Sequence, residues 1–278
     1  MRVEIGARTD VGRVRTNNED GYQLVPSLNL AVLSDGMGGE AHGEVASAMA
    51  VQTVAAHCLE ACNNISAPFF GEPRSDLSEK TNRLASAVHL ANRKIYESAR
   101  SNPAQRGMGA TILAAWVDGQ RLSLVHVGDS RAYLLRAGAL EQLTADHSLV
   151  AEQVRRGILT PQQADSSTMQ SVLIRALGTH AEVEVDADEH LLLDGDTLLL
   201  CSDGLTRMVT DPEIASTLLT HLGAQSAADR LVALANEYGG EDNVTVVVLR
   251  VHLDSNGWLA RLRRWVGGTS DESSAGGH

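Results

Sequence analysis

Leu30-Ala31-Val32-Leu33-Ser34-Asp35-Gly36-Met37-Gly38-Gly39 runs from a stretch of strand length into an aspartate and then into glycines. The strand expected over residues 29–34 is apolar at the consecutive positions 30–33, as in a strand covered on both faces, whereas a half-exposed strand alternates. The glycines predict that the chain turns at once into a helix over residues 40–62. A carboxylate at the end of a buried strand is costly unless a cation or a guanidinium meets it. Glycines beside it let backbone approach a ligand closely, because no Cβ stands in the way. Asp35 is therefore the first candidate metal ligand.

Working outward, residues 3–8 alternate like a strand, and residues 10–20 form a polar connection dense in charge and turn formers. Val45, Ala48, Met49, Ala55 and Leu59 give the helix after Asp35 its apolar spacing. A loop over residues 63–76 carries Phe69 and Phe70. Leu84, Ala87, Val88, Ala91 and Ile95 mark a second helix. Residues 111–117, 122–127 and 132–135 read as a meander with turns at Asp118-Gly119 and Gly128-Asp129. Residues 148–164 are a short helical excursion, polar as far as Gln170. Strands return at 183–185 and 197–201, with Asp194-Gly195-Asp196 as the turn between them. Helices over 212–219 and 226–238 precede a last strand over 244–251. Strands and helices come in blocks, which favours an antiparallel α+β layered fold over a doubly wound parallel sheet.

Aromatic residues make up only 3% of the 278 residues, so the core must be aliphatic. A net charge of −12 argues against nucleic acid or an anionic membrane as the partner. Three cysteines make no disulfide framework; Cys58 and Cys62 read as buried helical thiols rather than half a zinc site. The N-terminal residues lack a signal-peptide apolar core and no uninterrupted 18-residue apolar run occurs, so the protein is expected in the cytoplasm. Residues 254–278 read as a separate tail, basic and Trp-bearing from Trp258 to Trp265, then Gly/Ser-rich and disordered. The basic segment is short for an interfacial helix, and membrane contact is not expected of it.

Four aspartates share one local grammar: Asp35, Asp129, Asp203 and Asp242 each border a strand and touch Gly or Asn. Singly, such residues are turn formers. Together they can converge, because strand ends lie along one rim of a sheet. An all-oxygen set suits Mg²⁺ or Mn²⁺ better than zinc. No His pair has metalloprotease spacing, and His126 and His147 read as ordinary strand and turn residues. Arg15, shortly before Glu19 and Asp20, is a surface ion pair by default and a bidentate phosphate clamp if metals are near. Arg131 reads as structural.

Arg15-Thr-Asn-Asn-Glu-Asp20, Asp35-Gly-Met-Gly-Gly39, Gly109-Ala-Thr111, Gly128-Asp-Ser-Arg131, Ser202-Asp-Gly-Leu205 and Asp242-Asn243, in that order, resemble the metal-dependent protein phosphatase 2C (PPM) family in its bacterial form. The resemblance covers residues 3–251. It implies an αββα sandwich, two antiparallel sheets flanked by helix pairs, as a catalytic domain over 1–253. It also implies a flap subdomain at about 148–177 beside a metal cleft. By this resemblance Asp35 bridges two Mn²⁺ or Mg²⁺ ions, Gly36 lends its carbonyl, and Asp203 and Asp242 complete one metal. Asp20 and Glu19 hold metal waters, Asp129 helps to hold a third, looser ion, and Arg15 binds the phosphate. A water between two cations loses its proton near neutral pH and attacks phosphorus. The implied function is hydrolysis of phosphoserine and phosphothreonine in proteins, opposing bacterial serine/threonine kinases, with Arg15 and Asp35 at the chemistry. Phosphorylated proteins, and a serine/threonine kinase among them, are the implied partners. Two positions depart from the family: Met37 stands where some relatives carry a histidine, and Arg207 where relatives often carry a further aspartate.

Two other readings compete. Gly36-x-Gly38-x-x-Ala41 formally fits a dinucleotide fingerprint. It fails because Asp35 would abut the pyrophosphate and because the position about twenty residues on falls within a helix. A catalytically weak phosphoprotein-binding module of the same fold, with Arg207 marking a lost metal, is the alternative. The intact set of Arg15, Asp20, Asp35, Asp203 and Asp242 favours the enzyme.

Overall fold

The computed structural model describes residues 1–252 apart from 39–41, 65, 166 and 168; the tail over 254–278 lies outside the described residues. In chain order come strands β1 (Arg2–Asp10), β2 (Asp20–Val25) and β3 (Leu30–Met37), then helices α1 (Gly43–Asn63) and α2 (Glu79–Ser101). Strands β4 (Gly109–Ala110), β5 (Ile112–Asp118), β6 (Arg121–Val127), β7 (Arg131–Arg136) and β8 (Ala139–Gln142) follow. Short helices α3 (Leu149–Arg155) and α4 (Pro161–Asp165) lead to β9 (Asp186–Leu191) and β10 (Thr197–Cys201). Helices α5 (Asp203–Thr206), α6 (Asp211–Thr220) and α7 (Ala224–Glu237) precede β11 (Val244–His252).

The strands form two antiparallel sheets, one in the order β1-β11-β10-β7-β8, the other β2-β3-β5-β6-β9 with the short β4 on β3. Strand periodicity accounts for the layering. Leu30 and Val32 of β3, with Ile112 and Ala114 of β5, face α1 and α2, where Ala50, Val54, Leu84, Val88 and Ile95 receive them. Their neighbours Ala31, Leu33, Leu113 and Ala115 point the other way, into the space between the sheets. There they meet Leu198 and Leu200 of β10 and Val247 and Leu249 of β11. Leu199, Val246 and Val248 face outward onto Ile214, Leu218 and Leu231 of α6 and α7. Each central strand is thus buried on both faces, and the result is the αββα sandwich the sequence points to. Helix α1 is apolar enough in length and composition to cross a bilayer. It lies against α2, β2 and β3, and its apolar face is core.

Several sequence expectations shift. The strand expected to end at residue 34 continues through Asp35 to Met37, because the Asp35 carbonyl accepts from the Thr111 amide, the Asp35 amide donates to Thr111 Oγ1, and Gly36 and Met37 pair with β4. The helix begins at Gly43, not residue 40. Asp118-Gly119 does close the β5–β6 hairpin. Gly128-Asp129 does not close another: β6 and β7 lie in different sheets, and Gly128 makes the crossover at φ +111°. Asp194-Gly195-Asp196 likewise joins two sheets. Residues 183–185 are not strand; Val183 and Val185 pack against the helix-side core, and β9 begins at Asp186. Cys58 is buried as expected, whereas Cys62 is exposed. Strands β2 and β8 and helix α5 escaped the sequence reading.

Candidate metal centre

Register brings the acids together. Asp20 opens β2 and stands directly across from Asp35 on β3, so both carboxylates lie at the same end of one sheet. In the other sheet β10 and β11 are neighbours; Asp203 opens α5 just past the end of β10, and Asp242 shortly precedes the first residue of β11. Asp129 comes from the crossover between β6 and β7. A single rim therefore collects acids from both sheets.

The surroundings hold these carboxylates in place. Asp20 Oδ2 accepts from Ser202 Oγ at 2.8 Å and from Thr245 Oγ1 at 2.7 Å. The Asp35 amide donates to Thr111 Oγ1 at 2.8 Å, and Thr111 Oγ1 in turn lies 2.8 Å from Ser130 Oγ. Asn243 ties down the connection that carries Arg15. Its Nδ2 donates to Val11 O and Asn17 O at 2.9 and 2.8 Å, and its Oδ1 accepts the Glu19 amide at 2.8 Å. Gly36 is obligatory for close approach, since a Cβ there would sit 2.1 Å from Gly43 O.

The electrostatics are those of crowded acids. Burial first, and the charges of Asp20, Asp203, Asp129 and Asp242 after it, raise Asp35 well above the usual carboxylate range. Burial pushes Asp20 up to about 7 despite its hydrogen bonds from Thr245 and Ser202. Asp129 is also pushed up to about 7, by burial and then by Asp203 and Asp146. Asp203 is raised by burial against the pull of Arg207, and Glu19 by burial and Glu44. Two buried oxygens, Asp20 Oδ1 and Asp203 Oδ1, have no hydrogen-bond partner. Unpaired buried carboxylate oxygens at a rim of like charge are what a hard divalent cation would satisfy, and the donors are all oxygen. The residues present fit Mn²⁺ or Mg²⁺.

Arg15, Glu19, Asp35, Gly36, Met37, Asp129, Asp203, Arg207 and Asp242 line one cleft of about 700 Å³ together with Ser171 and Leu173. Asp20 stands behind Asp35 rather than on the lining. Arg15 Nη2 reaches Asp242 Oδ2 at 2.9 Å, so its guanidinium is at the rim and not on a remote surface. Arg207 Nη2 pairs with Asp203 Oδ2 at 2.5 Å, and its Nη1 lies 3.8 Å from Asp242 Oδ2. Arg131 pairs with Asp146 at 2.7 Å, consistent with a structural role. Sequence reasoning did not single out Ser202, Thr245 or Asn243 as supports. Ser202 and Asn243 at least adjoin motif aspartates, whereas Thr245 looks like any β-branched strand residue.

An acidic, oxygen-only rim between two antiparallel sheets, with an arginine beside it, has the chemistry to hold divalent cations next to a phosphate. The profile of the protein phosphatase 2C family matches residues 13–239. The serine/threonine phosphatase stp of Listeria monocytogenes is 38% identical over 253 residues, covering 90% of this chain and 96% of that one. The crystal structure of the Mycobacterium tuberculosis serine/threonine phosphatase PstP/Ppp superimposes with a TM-score of 0.79 at 40% identity, covering 91% of this chain and 100% of that chain. The catalytic domain of PstP in complex with two manganese ions gives 0.76 at 39% identity, covering 90% and 99%. This chain belongs to the protein phosphatase 2C family.

Proposed function

We propose that this chain, a serine/threonine protein phosphatase by family, holds two Mn²⁺ or Mg²⁺ ions at the rim and removes phosphate from phosphoserine and phosphothreonine of proteins. The pair of unpartnered buried oxygens, Asp20 Oδ1 and Asp203 Oδ1, carries this reading. Asp35, Asp203, Asp242 and the Gly36 carbonyl would hold the ions directly, and Asp20 and Glu19 through water. Bound there, the ions would acidify a water and screen the charge that gathers on the phosphoryl oxygens during in-line transfer. Arg15 supplies a fixed planar fork for two of those oxygens. Thr111 and Asn243 keep Asp35 and the Arg15 connection from drifting, which matters because small misplacements of reacting groups are expensive. Met37 lines the cleft and offers no proton. Asp129 would help to hold a third ion if one binds, and Arg207, already on Asp203, would weaken that binding. The domain reading is a catalytic unit over 1–253 with residues 148–177 as the flap, acting in the cytoplasm on phosphoproteins that include a bacterial serine/threonine kinase. The manganese of the PstP catalytic domain favours Mn²⁺.

Hydrolysis of a phosphothreonine peptide, with Mn²⁺, with EDTA and with Asp35→Asn, tests this. Turnover with Mn²⁺ that EDTA abolishes, and that the substitution lowers by about 100-fold or more, is expected. Folded wild-type protein that binds the peptide without turning it over would favour the binding-module alternative.

A further inference from the structure

His126, His147 and Asp186 bring ligand-type atoms within 4.8 Å of one another, outside the rim already described. The cluster does not suit a cation. Arg175 Nη1 already lies 2.7 Å from Asp186 Oδ1 and 3.3 Å from His147 Nε2, so a fixed positive charge occupies the spot. His126 Nε2 is engaged by Ala145 O at 3.0 Å, and its ring stacks on His147 at 4.7 Å.

The hydrogen bonds define another role. The Gly128 amide donates to His147 Nδ1 at 3.1 Å. A backbone N–H can only donate, so Nδ1 is unprotonated and the ring proton sits on Nε2, which donates to Asp186 Oδ2 at 3.2 Å; the Arg175 guanidinium, also only a donor, bonds Asp186 Oδ1 and not the ring. His147 is 2% exposed, and its own backbone accepts from Ile174 N at 2.8 Å and donates to Gly128 O at 3.0 Å. One ring thus touches two walls of the cleft. Through Nδ1 it grips the crossover that carries Asp129. Through Nε2–H on Asp186, which also holds Arg175, it grips the segment whose Ser171 and Leu173 line the cleft.

We infer that His147 is a positioning residue with two separable arms, one setting the Asp129 turn and the other setting the wall that a phosphoprotein must pass. The inference rests on the phosphatase reading of the cleft for its kinetic consequences, but not for its structural ones. Two substitutions at the one position divide the arms. His147→Asn places its amide near Nδ1 and can keep the Gly128 bond, but is too short to reach Asp186. His147→Gln places its amide near Nε2 and can keep Asp186, but offers nothing to Gly128.

Hydrogen exchange and steady-state kinetics on p-nitrophenyl phosphate and on a phosphothreonine peptide, with Mn²⁺ present, form the test. His147→Asn should speed exchange in residues 171–175 and raise the peptide KM by about 10-fold, with little change in kcat on the small substrate. His147→Gln should speed exchange in residues 128–130 and lower kcat on both substrates by about 10-fold. Asp186→Asn, on the edge strand, should repeat the His147→Asn pattern and decides the matter if neither histidine variant folds. Exchange that rises equally in both segments for every variant, or in neither, would overturn the two-armed role. If wild type shows no metal-dependent turnover, the phosphatase reading fails, while exchange still decides the hub.

Discussion

Arg207 stands among acids that otherwise repel one another. Its guanidinium pairs with Asp203 and approaches Asp242, so it neutralises part of the rim and competes for oxygens a metal would use. Removing it should tighten cation binding. A unit charge a few ångströms away, near a surface, is worth about 1 kcal/mol or more, which corresponds to roughly a 5-fold change. Arg207→Ala is therefore expected to lower the Kd for Mn²⁺ about 5-fold by calorimetry. Unchanged or weaker binding would mean that Arg207 serves to hold Asp203 in position. The same rim marks how far single residues could be read from sequence. Asp35, Asp203 and Asp242 each border a strand and Gly or Asn, and that grammar is visible in one dimension. Thr245, which bonds Asp20 from across the sheet sandwich, carries no such signal, because only the packing of one sheet on the other brings it there.

Elements were legible where both faces are buried. Strands β3, β5, β6, β10 and β11 are dense in aliphatic residues, and helices α2 and α7 carry clear apolar stripes. Edges were not. β9 reads Asp-Ala-Asp-Glu-His-Leu and is held by pairing with β6 rather than by its own pattern, so the apolar Val183 and Val185 before it were mistaken for the strand. Crossovers were missed for a related reason: a Gly-Asp turn looks the same whether it closes a hairpin or changes sheets. Asp186 at the start of β9 also gives this edge a pH dependence. The hydrogen bond from His147 and, with it, the bond from Arg175 hold its carboxyl well below the usual range despite burial. A depressed folded-state pKa stabilises above the unfolded value, about 4, and that contribution fades as pH falls towards the folded value. Asp186→Asn should thus cost about 1 kcal/mol at neutral pH once solvent screening is allowed for. In urea titrations the penalty should shrink towards about pH 3. A penalty constant with pH would assign the loss to packing.

At the scale of the molecule, the two sheets meet through an aliphatic layer and finish at one rim in mutually repelling acids. The apolar layer holds the sandwich, while the rim opposes it, so the functional edge is a place where stability is given up. Cation binding should reverse the sign there, because an ion that binds only the folded chain stabilises it by about 2.7 kcal/mol at 100 times its Kd. For a chain of this size that corresponds to a rise in Tm of about 5–10 °C. Asp35→Asn separates the two effects. Without metal, replacing a buried acid that faces four others relieves repulsion, and Tm in EDTA should rise. With Mn²⁺ the same variant should lose most of the cation-dependent increment, because it has lost the oxygen charge at the centre of the rim. Thermal melts of wild type and variant, each in EDTA and in saturating Mn²⁺, check both signs at once. A variant less stable than wild type in EDTA would show that the fit of the Asp35 side chain into the rim outweighs the repulsion. The acid rim would then be part of what holds the sheets together rather than a strain upon them.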